Sequence, residues 1–286
     1  MQYNNSAHGA LTYRKAFKDL DALIDKWEIL SENLMEKPVG VPVILPDILL
    51  VSDSGSGRTT FLRMLADYLT KKPNLMDFYG DVEFFEFMLE YRSPGVAFTE
   101  INRFQNAVSE AKGFRNEYRG IVFVDVDDWV DHFEEKHFKA FMEYISDNSD
   151  EWMVVLSVSR KAPELIANFE AFISAYVRVE KVTIERPTTE AYTAYLSHKL
   201  SAYGLELNDE AREIVFGAIK AICGNAYFDG YKTVGMLCDE IVYKVYTSES
   251  DVQKTLTADV LSSFAADGEY VQRLLTKMKK VSRIGF

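Results

Sequence analysis

Arg58, Thr59 and Asp125 are the residues of this chain whose types and spacing point most directly to phosphate chemistry. Arg58 and Thr59 belong to the run Ser52-Asp53-Ser54-Gly55-Ser56-Gly57-Arg58-Thr59-Thr60, which follows the apolar Ile48-Leu49-Leu50-Val51 and leads into Phe61-Leu62-Arg63-Met64-Leu65. A buried strand, a small-residue loop and a helix start, in that order, are the setting of the phosphate-binding loop pattern G-x-x-x-x-G-K-[ST]. Gly57 and Thr59 fit the pattern, whereas Ser52 stands in the place of the first Gly and Arg58 in the place of the Lys. Gly55 and Gly57 permit backbone dihedrals that turn successive N–H groups toward phosphate oxygens. The helix opening at Arg58 adds free N–H groups and a positive dipole end, and Thr59 offers a hydroxyl for Mg²⁺. Arg58 keeps the lysine's charge but presents a larger planar fork, a substitution that matters where space is narrow. The bland alternative is a strand–turn–helix in which Ser and Gly are merely turn formers.

The second landmark is Ile121-Val122-Phe123-Val124-Asp125, followed by Val126-Asp127-Asp128. Four apolar residues ending in Asp have the form of a Walker B strand, which delivers a carboxylate to Mg²⁺ through a water at the strand's C-terminal end. Buried strands also end in Asp at ordinary turns, so the motif gains its weight from lying about 65 residues after the loop. Other constellations give way to simpler readings. His132 and His137 flank Glu134 and Glu135 without the H-E-x-x-H spacing of a zinc site, and the two cysteines, Cys223 and Cys238, lack ligand spacing. No nucleophile-elbow motif is present.

The elements that must hold these residues follow from periodicity. Phe17, Leu20, Ile24, Trp27 and Leu34 predict an amphipathic helix over 14–36, and Pro38, Pro42 and Pro46 an extended connector. Strands are expected at 48–51, 82–88, 121–125, 152–159 and 176–184, with helices after the loop, near 99–111 and over 134–146. That alternation predicts a parallel α/β sheet sandwiched by helices, with the loop strand central. After Pro187 the pattern predicts helices only, marked by Tyr192 to Tyr203, Ala211 to Ile222, Val234 to Ile241 and a fourth from near Thr257 to Phe264. The basic cluster Lys277, Lys279, Lys280 and Arg283 is read as a solvated terminus.

Bulk properties narrow the function classes. The 286 residues suffice for two domains, 48% are hydrophobic, and the formal net charge is −12. That charge argues against general nucleic-acid binding. Two cysteines imply no disulfide framework and a reducing, cytoplasmic setting. No apolar h-region opens the chain and no apolar run approaches a membrane span, so neither secretion nor a membrane partner is expected.

The order of loop strand, Walker B strand, polar-tipped strand and helical lid resembles the AAA+ ATPase family over roughly residues 45–265. Ser52 to Thr60 is similar to its Walker A, and Asp125-Val126-Asp127-Asp128 to its D-E-x-D box. Ser157 falls where the family carries sensor 1. Phe228-Asp229-Gly230-Tyr231-Lys232-Thr233-Val234 resembles the third lid helix of the branch containing stage V sporulation protein K and red-type rubisco activase, and puts Lys232 at the sensor 2 Arg. The resemblance implies four segments: an N-terminal helix and Pro-containing linker (1–46), a P-loop core (47–187), a small helical lid (188–265) and a tail (266–286). It implies ATP or ADP with Mg²⁺, nucleotide contacts from Ser52, Gly55, Ser56, Gly57, Arg58, Thr59, Thr60, Ser157 and Lys232, metal contacts from Thr59 and Asp125, and protein partners, self-assembly included. The departures all weaken hydrolysis: Arg58 replaces the Lys, Val126 replaces the water-polarising Glu, and Ser174-Ala175-Tyr176 carries no finger Arg, with Arg178 the nearest candidate. Asp127 and Asp128 are the substitute bases to consider. The expected function is a nucleotide-binding protein that is a weak or inactive ATPase acting through protein partners. An active protein-remodelling ATPase and a module that binds no nucleotide are the alternatives.

Overall fold

The five apolar runs form strands β1 (Asp47–Val51), β2 (Glu83–Met88), β3 (Gly120–Asp125), β4 (Met153–Val158) and β5 (Val179–Thr183) in the computed structural model. The described residues are 18–35, 45–53, 55–76, 82–91, 94–112, 120–148, 152–225, 228–248 and 254–281. All five strands run parallel in one sheet of order β2-β3-β4-β1-β5. β1, expected at the centre, lies between β4 and β5, because three strands are added on one of its sides and only one on the other. Every residue of β1 and β4 is buried, as interior parallel strands covered on both faces require. β2 is an edge strand, and Arg103 covers its end by donating to the Met88 carbonyl at 2.8 Å.

Alternation along the strands separates two apolar faces. Leu49, Val51, Val122, Val124, Val154, Leu156 and Val158 pack with Phe104, Phe138, Phe141 and Phe169 from helices α4 (Pro94–Lys112), α5 (Lys136–Asp147) and α6 (Pro163–Ile173). On α5 the buried set Phe138, Phe141, Met142 and Ile145 keeps the i, i+3, i+4, i+7 spacing of a core-facing stripe. The opposite face is covered by α1 (Lys18–Met35), with Leu20, Leu23 and Trp27 buried, and by α2 (Arg58–Thr70), with Phe61, Leu62, Leu65 and Leu69 buried. Asp19 on α1 accepts the Thr183 N–H at 3.0 Å, so α1 also satisfies one N–H on the free edge of β5. Ser31 of α1 hydrogen-bonds Asn74 in the short α3 (Pro73–Met76). Residues 14–17 and the connector prolines Pro38 and Pro42 lie outside the described residues.

Packing changes hands after Glu185. Described residues 18–53 and 58–185 form one unit, and 186–281 together with loop residues 55–57 the other. The second unit contains α7 (Thr189–Ser201), α8 (Asp209–Cys223), α9 (Gly230–Thr247), the single turn α10 (Ala258–Leu261) with a 3-10 turn Ser262–Phe264, and α11 (Glu269–Val281). Thr188 and Asn208 cap α7 and α8 by accepting the N–H groups of Ala191 and Ala211 at 3.3 and 2.8 Å. The unit is not purely helical: β6 (Glu206–Leu207) and β7 (Thr255–Leu256) form a separate two-stranded parallel pair. The fourth helix is only a turn, and residues from 269 onward, expected as part of a tail, supply α11, whose Val271 is fully buried while Leu274 and Leu275 pack on the same core.

Candidate functional site

The sheet register brings three of the expected residues to one level. Ser157 on β4 stands opposite Leu50 on β1 and Asp125 on β3. The chain continues the ladder on both sides, since Ser52 donates its N–H to the Val158 carbonyl at 2.9 Å and Val126 donates to the Ser157 carbonyl at 3.0 Å. Ser52, Asp125 and Ser157 therefore sit together at the carboxyl ends of β1, β3 and β4, the end where open parallel sheets bind ligands. Ser52 and Ser157 are wholly buried, yet neither hydroxyl has a hydrogen-bond partner. Unpaired buried hydroxyls cost about 1–3 kcal/mol each.

Arg58, the first residue of α2, reaches into this cluster. Its Nη1 donates to Asp125 Oδ2 at 2.6 Å, a charge-assisted bond, and its Nη2 donates to the Ser52 carbonyl at 3.3 Å. Both side chains are about one-fifth exposed, and Arg58 Nε is buried without a partner. The other Asp125 oxygen, Oδ1, accepts the Asp127 N–H at 3.1 Å. Both oxygens of the expected metal ligand are thus engaged by the protein itself. Thr59, the other expected ligand, is exposed, and no cluster of three potential metal ligands occurs among the described residues. A divalent ion beside this carboxylate would be repelled by the guanidinium that already holds it. These residues do not fit Mg²⁺ in this arrangement. The phosphate portion of a nucleotide fits better: Arg58, the orphaned Ser52 and Ser157 hydroxyls and the N-terminus of α2 are all donors on one unit.

The positions next to Asp125 are equally specific. Val126, where the resemblance places a Glu, is fully buried in the core beside Trp129 and Phe138. Asp127 is tied down, because its Oδ1 accepts both the N–H and the hydroxyl of Ser159 at 2.7 Å and its carbonyl accepts Lys161 Nζ at 2.9 Å. Asp128 is exposed. Lys161 also bridges to Asp131 at 3.2 Å, and Arg160 contacts Asp53 at 3.9 Å while donating to the Ile184 carbonyl at 2.9 Å. Sequence reading took Ser159 only as the polar end of the fourth strand and passed over Arg160 and Lys161, which only their place just after that strand marked. Arg178 lies just before β5, where its carbonyl accepts the Asp47 N–H, at the sheet's opposite end from Asp125.

Of the remaining expected contacts, Thr60 is exposed, and Gly55 and Gly57 have φ of 69° and 109°, backbone that glycine alone adopts readily. Ser56 is buried with its hydroxyl unpaired. Lys232 belongs to the second unit, in the first turn of α9, with its side chain 77% exposed and 3.6 Å from Asp229. No helix of the described residues is long and apolar enough to cross a membrane.

No protein-family model matches the chain, and no curated protein matches it. Solved structures do match. C. elegans PCH-2 aligns with a TM-score of 0.54 at 15% identity, over 88% of this chain and 68% of that one. A point mutant of Thermotoga maritima RuvB aligns at 0.52 and 12% identity, over 93% and 77%. Aeropyrum pernix ORC1, solved in complex with DNA, aligns at 0.50 and 14% identity, over 88% and 64%. All three are AAA+ ATPases, and at these identities the likeness is one of fold. The chain has the fold of the AAA+ ATPases.

Proposed function

We propose that this chain is an AAA+-like nucleotide-binding protein that holds ATP or ADP, turns ATP over at or near background, and acts through protein partners, copies of itself among them. The observation that carries the reading is that neither of the two residues after Asp125 offers a free base. Val126 is fully buried where a water-polarising carboxylate would have to stand, and Asp127 is spent on Ser159. Removing a group that positions or activates the attacking nucleophile costs orders of magnitude in rate. Binding rests on parts of the first unit: the N-terminus of α2, Arg58 and the unpaired Ser52 and Ser157 hydroxyls. Calorimetric titration with ATP and with ADP, alongside phosphate release at saturating ATP, tests the proposal. The expected outcome is saturable binding with turnover far below ~1 per second. A rate of that order returns attention to Asp128, and absence of binding favours an interaction module without nucleotide.

A further inference from the structure

We propose that Arg58 is a built-in counter-cation that takes the place of the divalent metal, so that the site binds the polyphosphate of a nucleotide metal-free. The inference rests on the nucleotide-binding reading above and concerns how the charge of the phosphates is met. Three observations carry it. The carboxylate that would hold the metal is already neutralised at 2.6 Å by Arg58 and has its second oxygen on the Asp127 N–H. The guanidinium is not exhausted by this: it has five N–H donors, and the bonds to Asp125 and the Ser52 carbonyl leave its buried Nε–H without a partner. The Ser52 and Ser157 hydroxyls, wholly buried at the same strand ends, are also unpaired, so the polar groups gathered around Arg58 are not satisfied within the chain.

Chemically, the site exchanges a hydrated divalent ion for a fixed monovalent fork. Arg58 compensates Asp125 and presents its remaining donors to a phosphate oxygen. Asp125 becomes a positioning residue that orients the guanidinium. A lysine at 58 would present three donors from one nitrogen and could not span Asp125, the Ser52 carbonyl and a phosphate with the same planar geometry.

The test uses the full chain, with ADP and ATP titrated by calorimetry in EDTA and in excess Mg²⁺, and with Mn²⁺ titrated by electron paramagnetic resonance in the absence of nucleotide. For the wild type, ADP and ATP affinities in the two buffers agree within about twofold, and no Mn²⁺ is bound. In Arg58→Lys, Mg²⁺ strengthens ATP binding by about tenfold or more, and in Arg58→Ala, Mn²⁺ binds and is lost again when Asp125→Asn is added. A wild-type affinity that rises about tenfold with Mg²⁺, or Mn²⁺ bound to the wild type and lost in Asp125→Asn, overturns the proposal. If no nucleotide binds in either buffer, the nucleotide-binding reading fails. The Mn²⁺ comparison then still decides whether Arg58 blocks the metal position: binding in Arg58→Ala alone supports it, and the same result in both proteins overturns it.

Discussion

Replacing Asp47 with Asn should stabilise the sheet unit by about 2 kcal/mol at pH 8 and destabilise it by about 2 kcal/mol near pH 4, where only the cost of the buried amide remains. Asp47 opens β1, is only 5% exposed, and uses Oδ1 to accept the Val154 N–H at 2.7 Å, tying β1 to β4 at the end of the sheet away from Arg58. Burial pushes its carboxyl up from 3.8 to about 7, opposed only in part by the Val154 bond. Between those values the folded chain keeps a proton that the unfolded chain releases, so stability falls as pH rises through that window. Its contribution is fully present below about pH 4 and lost by about pH 7. At ~1.4 kcal/mol per pH unit, the shift amounts to about 4 kcal/mol, a large part of the 5–15 kcal/mol that holds an ordinary domain together. Asn keeps the acceptor for Val154 but adds an amide N–H₂ whose burial unpaired costs about 1–3 kcal/mol, so the net gain at pH 8 is about 2 kcal/mol. The chain's three tryptophans, Trp27, Trp129 and Trp152, are all buried in this unit, so intrinsic fluorescence during urea unfolding reports its stability. Parallel stability–pH profiles for wild type and Asp47→Asn between pH 4 and 8 would refute the reasoning.

Three further outcomes are expected. Val126→Glu should not restore hydrolysis but destabilise the first unit by about 4 kcal/mol or more, because it puts a carboxylate among Trp129 and Phe138; an unchanged fluorescence midpoint would show that the position opens to solvent. Asn208→Ala should cost the second unit about 1 kcal/mol through loss of the α8 cap, seen as a lower thermal midpoint by circular dichroism, and Asn208→Ser should recover most of it. Cys238, with its thiol pushed up to about 11 by burial, should react with a thiol reagent at pH 8 only after unfolding, whereas half-buried Cys223 should react slowly in the native protein and faster as pH rises; equal native rates would contradict the burial.

The strands were the most legible part of the sequence, because β1, β3 and β4 are continuous apolar runs closed by small or acidic residues, and interior parallel strands have no solvent face to blur that signal. Their order was not legible: nothing in the runs says that β5 rather than β3 lies beside β1. The two-residue strands β6 and β7 were invisible because pairs this short carry no period. α11 was missed because the basic residues from Lys277 onward drew attention to its end, while Val271, Leu274 and Leu275 at i, i+3, i+4 carried the packing signal. At the site, sequence supplied the identities and the structure supplied the partners. Arg58 was legible as a larger fork in place of a lysine, but its bond to Asp125 depends on how the carboxyl ends of β1, β3 and β4 align, a matter of register that no linear motif contains.

The two departures at the site gain meaning when taken together. In a hydrolytic site, a metal ion and a general base have to be delivered to the same reacting phosphate, so losing either removes much of the reason to keep the other. Here Val126 lies in the core, where its side chain belongs to an apolar cluster, and at the same strand end Asp125 accepts from Arg58 through one oxygen and from the Asp127 N–H through the other. A carboxylate left at that level without metal or cation would be mostly shielded from water with only the Asp127 N–H to meet its charge, which costs more than pairing it. Arg58 relieves that cost within the chain and does so with a planar cation that still has donors to spare. A lysine relieves it only by giving up much of its reach toward phosphate, and a neutral residue does not relieve it at all. On this logic the Arg at 58 and the Val at 126 are coupled. Restoring the lysine alone should loosen Asp125 and make it compete for metal, and should leave turnover at background because the buried Val126 supplies no base.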